Sequence, residues 1–359
     1  LWLRASAPLR AALEILSLPP MAIQKTRPLP VDKLSGHLSI DGSLLVPLRD
    51  KARLDFSKLV IDGALSKFGF RELSPGKNLS AETLAVSIAD KRLTLNGRAA
   101  LNEVPLDLTF ERAVEPGAPP GSRVTGVAQV TPETLDALGI RLPPGAVKGE
   151  TQAEFDMALQ PDEPPKLRVT SDIVGVSLSI PALSWRKSAK QAGTLDVDAV
   201  LGPDPEVSNL SLSAPGLSTS GRINLAEGGG FTSVELDTLK AGNWMDARAV
   251  LSSRGEGQAP SVALTGGQID LRRLPDSGSA GGRSPLTLSL DRVRVAPDLA
   301  LHGVRGTLLS KGVLTGTLTG TVNGQSPVTV DLAPLEGLQG VRVTSADAGG
   351  VFRSAKVVE

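Results

Sequence analysis

Apolar and polar residues alternate through most of the chain after residue 33. The clearest runs are 93–101, 153–159 and 286–290. In these runs every second residue is Leu, Ala, Gly, Phe or Met, and most of the others are Thr, Ser, Asn, Arg, Asp or Glu. Successive side chains of a β-strand point to opposite faces, so a period of two gives each strand one apolar and one hydrated face. The pattern therefore predicts a ladder of short, half-buried strands.

Turn-forming pairs of residues separate these runs at intervals of roughly 8 to 12 residues. The clearest pairs are Asp41-Gly42, Asp62-Gly63, Asn96-Gly97 and Asn323-Gly324. Asn, Asp and Gly reach the positive φ that tight hairpins need, although Asn96-Gly97 lies inside a run and is also compatible with a bulge. The spacing predicts a mostly β fold in which consecutive strands pair as a long antiparallel meander sheet.

A few short helices accompany the strands. Residues 1–30 form a lead-in helical segment, because Leu9, Leu13 and Leu16 share one helical face. A second helix of two turns is predicted at Thr131–Gly139, with Thr131 as its N-cap and a proline at its first position.

The strand pattern favours one long body over several domains. Loop-rich stretches near 112–122, 202–206 and 275–284 are soft candidate boundaries. The same alternation resumes after each of them, so we interpret residues 31–359 as one continuous β-structure.

The composition disfavours several kinds of site. Lys and Arg total 38 and Asp and Glu total 38, so there is no net positive charge to attract nucleic acid. Cysteine is absent and the two histidines, His37 and His302, stand in strand-like surroundings where we expect them to face solvent. We find no nucleotide-binding, zinc-protease or serine-hydrolase motif. We therefore predict no catalytic residue, no metal, no cofactor and no enzymatic activity.

The apolar side of the strands is aliphatic, since aromatic residues make up 3% of the chain and tyrosine is absent. Soluble proteins rarely leave more than a few hundred Å² of such surface in water. Two arrangements can cover it: sheets packed on one another as sandwiches, or one sheet curled into a U-shaped hydrophobic groove that holds acyl chains. A polysaccharide-acting β-enzyme is disfavoured, because the chain has few aromatic residues to stack on a sugar.

Three segments resemble a known family. Val124–Phe155 has a strand, a short helix ending in Leu-Gly, then Leu-Pro-Pro and a strand that opens on Gly, and Ile180–Gly202 and the Ile-Asp-Leu of Ile269–Leu271 are similar in style. These segments resemble AsmA-like proteins of Gram-negative envelopes, especially the YhdP branch, which is related to TamB and to bridge-like lipid transfer proteins. The similarity of style extends over nearly the whole chain after residue 30.

The resemblance implies an interior fragment of a periplasmic protein that is anchored to the inner membrane through a segment outside this chain. Such a protein conducts phospholipids along a hydrophobic β-groove between the inner and outer membrane and supports outer-membrane biogenesis. Both membranes would be contacted by parts outside this chain. The alternative from the residues alone is a structural or interaction β-sandwich array without a lipid cavity.

Strand parity assigns the residues that would line the groove and contact phospholipid acyl chains. They are Leu93, Leu95, Phe155, Met157, Val176, Leu178, Leu286, Leu288, Leu314 and Leu318.

Overall fold

Most of the chain forms strands. The computed structural model describes residues 2–16, 30–44, 59–74, 76–114, 118, 120–140, 142–226, 230–255, 257–274, 284–310, 313–336 and 338–354. Strands account for 68% and helices for 10% of the structure. This confirms the predicted mostly β fold with a few short helices.

The elements of the described residues follow one another with short connections. The strands are β1 (Trp2–Pro8), β2 (Leu34–Leu44), β3 (Leu59–Ser74), β4 (Lys77–Ala89), β5 (Arg92–Leu101), β6 (Val104–Ala113), β7 (Ser122–Val130), β8 (Val147–Gly149), β9 (Thr151–Leu159), β10 (Lys166–Ser171), β11 (Val176–Ile180), β12 (Trp185–Lys187), β13 (Thr194–Val200), β14 (Glu206–Ala214), β15 (Leu217–Leu225), β16 (Phe231–Ala241), β17 (Met245–Ser252), β18 (Ser261–Asp270), β19 (Pro285–Ala296), β20 (Leu299–Ser310), β21 (Leu314–Val322), β22 (Ser326–Leu335) and β23 (Leu338–Thr344). The helices are α1 (Leu9–Leu16), α2 (Pro132–Ala137) and α3 (Ala348–Ser354), and single turns of 3-10 helix occur at Val31–Lys33, Pro181–Leu183 and Leu271–Arg273.

Twenty of these strands belong to one large mixed sheet that is not closed, and β8, β11 and β12 form a separate three-stranded sheet. The chain divides into two compact units. Unit 1 comprises Leu1–Ile140, Glu150–Ser171 and Val200–Gly202, and unit 2 comprises Arg141–Gly149, Asp172–Ala199 and Pro203–Glu359. The change of unit after Gly202 falls at the candidate boundary 202–206. The candidate boundary at 275–284 lies almost wholly outside the described residues, and the one at 112–122 lies partly outside them.

Unit 1 contains an antiparallel meander. Strands β1 to β7 pair in chain order, and β7, β9 and β10 continue the series. The helical prediction for residues 1–30 is correct for α1 and wrong for Trp2–Pro8, which form a strand. The reason is pairing: Ala5 lies opposite Ile40 and Ala7 opposite Leu38, so a short period-two pattern is completed by β2. Residues 17–29 lie outside the described residues.

Unit 2 departs from the predicted antiparallel order at one point. From β14 to β23 each strand pairs with the next, but β18 and β19 run parallel. The antiparallel meander predicted from the sequence is therefore interrupted by one parallel pair among the described strands. A parallel neighbour requires a return connection of about a dozen residues or more, and residues 271–284 between these strands provide that length.

Three of the four predicted turn pairs lie inside strands. Asp41-Gly42, Asp62-Gly63 and Asn96-Gly97 fall within β2, β3 and β5, and only Asn323-Gly324 joins two strands as a hairpin. Several hairpins instead use residues without a glycine, such as Asp90-Lys91, where both φ values are positive at 48° and 63°. The helix prediction at 131–139 is confirmed: Thr134 N donates to Thr131 Oγ1 at 3.2 Å and Thr131 N donates to Thr134 Oγ1 at 2.7 Å.

Candidate functional site

The large sheet of unit 1 carries one unbroken row of apolar residues across nine strands. Each member lies directly opposite the next on the neighbouring strand. We call this the unit 1 row, and it consists of Ala5, Ile40, Gly63, Val86, Leu95, Phe110, Val124, Met157 and Leu167.

Helix α1 covers part of this face. Its Leu9 is 8% exposed and packs, together with Leu13, against Leu65 and Leu84. Burial of these leucines stabilises the helix, which is too short to be stable alone in water. Among the described residues of unit 1, no second sheet packs on the face. Phe155 and Met157, at the other end, remain half-buried.

The opposite face of the unit 1 sheet is charged and hydrated. Arg4 forms an ion pair with Asp41, its cross-strand neighbour, with 2.5 Å between Nε and Oδ1. Arg98 and Asp107 form a second pair, with 3.6 Å between Nε and Oδ1. Such exposed pairs contribute at most about 1 kcal/mol each to stability. These pairs mark the face that meets water, which also carries exposed apolar residues such as Trp2 and Val60.

Unit 2 carries a second row, which crosses ten strands from β14 to β23. Again each member is the cross-strand neighbour of the next. This unit 2 row consists of Leu210, Gly221, Leu236, Ala249, Leu264, Leu288, Gly306, Leu318, Val330 and Val343.

Bulges keep the apolar residues of unit 2 on one face. In β16 the apolar positions change from Val234 and Leu236 to Leu239 and Ala241, and the register shifts by one residue between the two pairs. In β18 a similar extra residue, Thr265, lies between Leu264 and Gly266. The N–H of the following Gly267 donates to Asp291 Oδ2 at 2.8 Å. An extra residue reverses the parity that follows it. The apolar positions change parity in the sequence where the bulge changes the direction of the side chains, so the apolar side chains stay on one face of the sheet.

The three-stranded sheet packs over part of the unit 2 face. Trp185 of β12 is 7% exposed, lies in the same core cluster as Leu288, and donates its indole N–H to Pro215 O at 2.8 Å. Leu178 and Ile180 of β11 pack against this cluster. The small sheet therefore takes the place that a second layer would occupy in a β-sandwich.

A buried lysine holds the small sheet together. Lys187 is 1% exposed, and its Nζ donates to Ile173 O at 2.6 Å, Val176 O at 2.9 Å and Ser188 O at 3.2 Å. Burial lowers the pKa of Lys187 from its ordinary value. Its three donors match the three carbonyl oxygens, so the ammonium group is satisfied without a carboxylate.

The predicted groove-lining residues fall into two groups. Val176 and Leu178 belong to β11 and lie on the small sheet, not on the large one. The strand pairing places the others on the apolar face of the large sheet within their own unit: Leu93, Leu95, Phe155 and Met157 in unit 1, and Leu286, Leu288, Leu314 and Leu318 in unit 2. Strand parity in the sequence identified these eight residues of the apolar faces. It did not identify Gly63, Ala249 or Gly306 of the two rows, because glycine and alanine are too small to show which face of a strand is apolar.

Other candidate chemistry is sparse. The described part of the chain contains no group of His, Asp and Glu that could hold a metal ion. None of the helices in that part is long and apolar enough to cross a membrane. His37 is exposed and its Nε2 lies 2.8 Å from Ser6 Oγ, whereas His302 is half-buried. The apolar face is therefore the best candidate for a functional surface.

Comparison of the chain with models of known protein families, with curated proteins and with solved structures finds no match.

Proposed function

We propose that this chain binds phospholipid acyl chains on the apolar faces of its two units and conducts them. In this proposal it is a segment of a periplasmic AsmA-like protein, anchored to the inner membrane by a segment outside this chain. That protein carries phospholipid to the outer membrane and supports outer-membrane biogenesis. The observation that carries the proposal is the pair of unbroken apolar rows. Ten strands at about 4.8 Å make the unit 2 row roughly 40 Å long.

The chemistry of the rows suits an acyl chain better than a polar ligand. Their side chains are Leu, Val, Ile, Ala, Phe and Met, with glycines between them. None of these side chains can form a strong hydrogen bond, so contact with an acyl chain is favourable by about 0.8 kcal/mol per buried CH₂ and has no preferred direction. An acyl chain can therefore slide along the face while its headgroup stays hydrated.

The rival function is a structural or interaction β-sandwich array without a lipid cavity. The packing of Trp185, Leu178 and Ile180 on the unit 2 face favours it, because protein side chains cover that surface. Unit 1 favours the lipid proposal, since α1 covers only part of its face. Unit 1 is therefore the better place to distinguish the two functions.

Lipid extraction and mass spectrometry of the purified protein test the proposal. We expect about stoichiometric phospholipid, and less of it in a Met157→Gln variant, which places an amide on the unit 1 row. Gln152→Glu serves as the control, because Gln152 is exposed. A folded protein that is free of phospholipid would support the sandwich array instead.

A further inference from the structure

The arginines of β17, β19 and β20 all lie on the hydrated face of the unit 2 sheet. Each is the chain neighbour of a residue in the buried apolar cluster: Ala247, Val293 or Val304. Successive side chains of a strand point to opposite faces, so the guanidinium groups lie on the side away from that cluster. We call these residues the arginine patch, and it consists of Arg248, Arg292, Arg294 and Arg305.

The arginine patch has no partner within the protein. Its guanidinium groups form no hydrogen bond or ion pair with any described residue. Arg292 is half-buried, and its Nε is buried without a hydrogen-bond partner. Elsewhere on the same face an arginine pairs with its cross-strand carboxylate, as Arg222 does with Glu235 at 2.9 Å. The unpaired arginines are therefore concentrated on three strands in the middle of unit 2.

The carboxylates of these strands do not neutralise the patch. Asp270 Oδ2 lies 2.6 Å from Arg272 Nη2. Asp246 Oδ2 lies 3.4 Å from Lys240 Nζ. Asp291 Oδ2 accepts a backbone N–H at 2.8 Å, which leaves its charge in place. From β17 to β20, four arginines therefore outnumber the one carboxylate that has no basic partner.

Exposed aliphatic side chains lie at the border of the patch. Leu271 is 44%, Leu274 45% and Val295 41% exposed. Val295 follows Arg294 in the chain, and the 3-10 turn that contains Leu271 packs beside β19. Aliphatic groups next to cationic ones are the combination by which proteins bind at a membrane interface, since apolar burial and attraction to anionic lipid then act together.

We propose that the hydrated face of unit 2 docks on an anionic phospholipid bilayer. The arginine patch would contact lipid phosphates, and the three aliphatic side chains would lie among the headgroups. Because β17 and β20 are three strand spacings apart, about 14 Å, no single phosphate can contact the whole patch, whereas a bilayer presents many. This inference goes beyond the proposed function, which concerns the opposite face of the sheet.

Co-sedimentation of the full chain with vesicles tests this inference. The probes are vesicles of phosphatidylcholine with about 30% phosphatidylglycerol and vesicles of phosphatidylcholine alone. We expect stronger binding to the anionic vesicles and weaker binding as salt rises. Arg248→Gln and Arg305→Gln should each weaken binding about fivefold, and Leu274→Ser about twofold. Arg305→Lys keeps the charge and should bind nearly as well as wild type.

Arg222→Gln is the matched control, because it removes the same charge from the same face at a position that Glu235 neutralises. We expect less than about a twofold change there. Equal losses in Arg222→Gln and Arg305→Gln, or equal binding to anionic and neutral vesicles, overturn the inference.

Two other occupants are distinguished in the same assay. Complete displacement from vesicles by inorganic phosphate, but not by chloride at equal ionic strength, would indicate a site for free phosphate. Binding of capped polyglutamate without binding of vesicles would indicate an acidic protein partner. Either result overturns the inference. The phospholipid that the purified protein retains reports separately on the apolar faces, so failure of this inference is distinct from failure of the proposed function.

Discussion

Gly267 sets the geometry of the sheet of unit 2 at a single residue. Its φ is +96°, and a β-carbon at this position would lie 2.6 Å from the Cα of Ala247 on β17. Both facts require glycine, because other residues avoid this φ and the neighbouring backbone leaves no space. Asp291 completes the bulge by accepting the hydrogen bond of the Gly267 N–H.

Gly267→Ala should therefore lower the free energy of unfolding by more than about 2 kcal/mol, since backbone strain and a steric clash add together. Gly303→Asn is the control: Gly303 has a φ of +60°, which asparagine tolerates, and open space around its Cα. We expect a change within about 0.5 kcal/mol there. Urea denaturation measures both, and equal effects would show that the close approach at Gly267 is unimportant.

Asp270 makes stability depend on pH in acid. Hydrogen bonds from the Arg272 side chain lower the pKa of Asp270 from 3.8 to about 2. A carboxylate with a lowered pKa contributes its full stability above its unfolded pKa and loses it as pH falls through its folded pKa. The stability difference between wild type and Asp270→Asn should therefore shrink as pH falls from about 4 to about 2.

Chemical denaturation at a series of pH values measures this difference. Asp204→Asn, which removes an exposed loop carboxylate, controls for the loss of one negative charge. A gap between wild type and Asp270→Asn that stays constant across this range would contradict the assignment.

The Asp-Gly and Asn-Gly pairs of the sequence also explain why the hairpin turns were hard to predict. Gly42 lies inside β2, where a β-carbon would be 2.9 Å from a side-chain carbon of Ile61 on β3. The glycine provides space for a neighbouring strand, whereas in sequence Asp41-Gly42 looks like a hairpin. Conversely, Asp90-Lys91 forms a turn of positive φ without glycine. The two uses of these residue types cannot be separated without knowledge of the partner strand.

At the scale of elements, features that depend on residues adjacent in sequence were predicted correctly, whereas features that depend on pairing with a distant strand were not. The helix after Thr131 was predictable because its cap, proline and apolar positions are adjacent in sequence. Strand β1 was missed because its apolar positions are mostly alanines that become meaningful only against Ile40 and Leu38 of β2. The parallel pairing of β18 and β19 depends on the path of a connection, which a period-two pattern does not encode.

Substitution of Lys187 tests whether its hydrogen bonds stabilise the three-stranded sheet. Lys187→Met removes the donors for three carbonyl oxygens, and buried groups left without a partner cost about 1–3 kcal/mol each. We expect at least about 2 kcal/mol of destabilisation and faster hydrogen exchange in β11 and β12. Arg186→Met changes the exposed neighbour on the same strand and should have little effect. Similar exchange rates in the two variants would contradict a structural role for Lys187.

At the scale of the whole molecule, the mostly β fold and the aliphatic character of its faces were predictable, because both follow from a pattern repeated over hundreds of residues. Which residues share a face was predictable only between bulges. Leu236 and Leu239 have opposite parity in the sequence and yet pack in the same cluster. The sequence did not predict that β11 and β12 cover the unit 2 face, because these strands have the same apolar and polar pattern as the strands that they cover.

Photo-crosslinking in cells tests the central claim, that acyl chains occupy the apolar faces, most directly. A photoreactive residue at Phe155 or Leu318 should form phospholipid adducts, because both positions lie half-buried on the apolar face of their unit. Glu154 and Thr319, their exposed neighbours on the opposite face, should form none. Adducts at all four positions, or at none of them, would contradict the proposed lipid-binding faces.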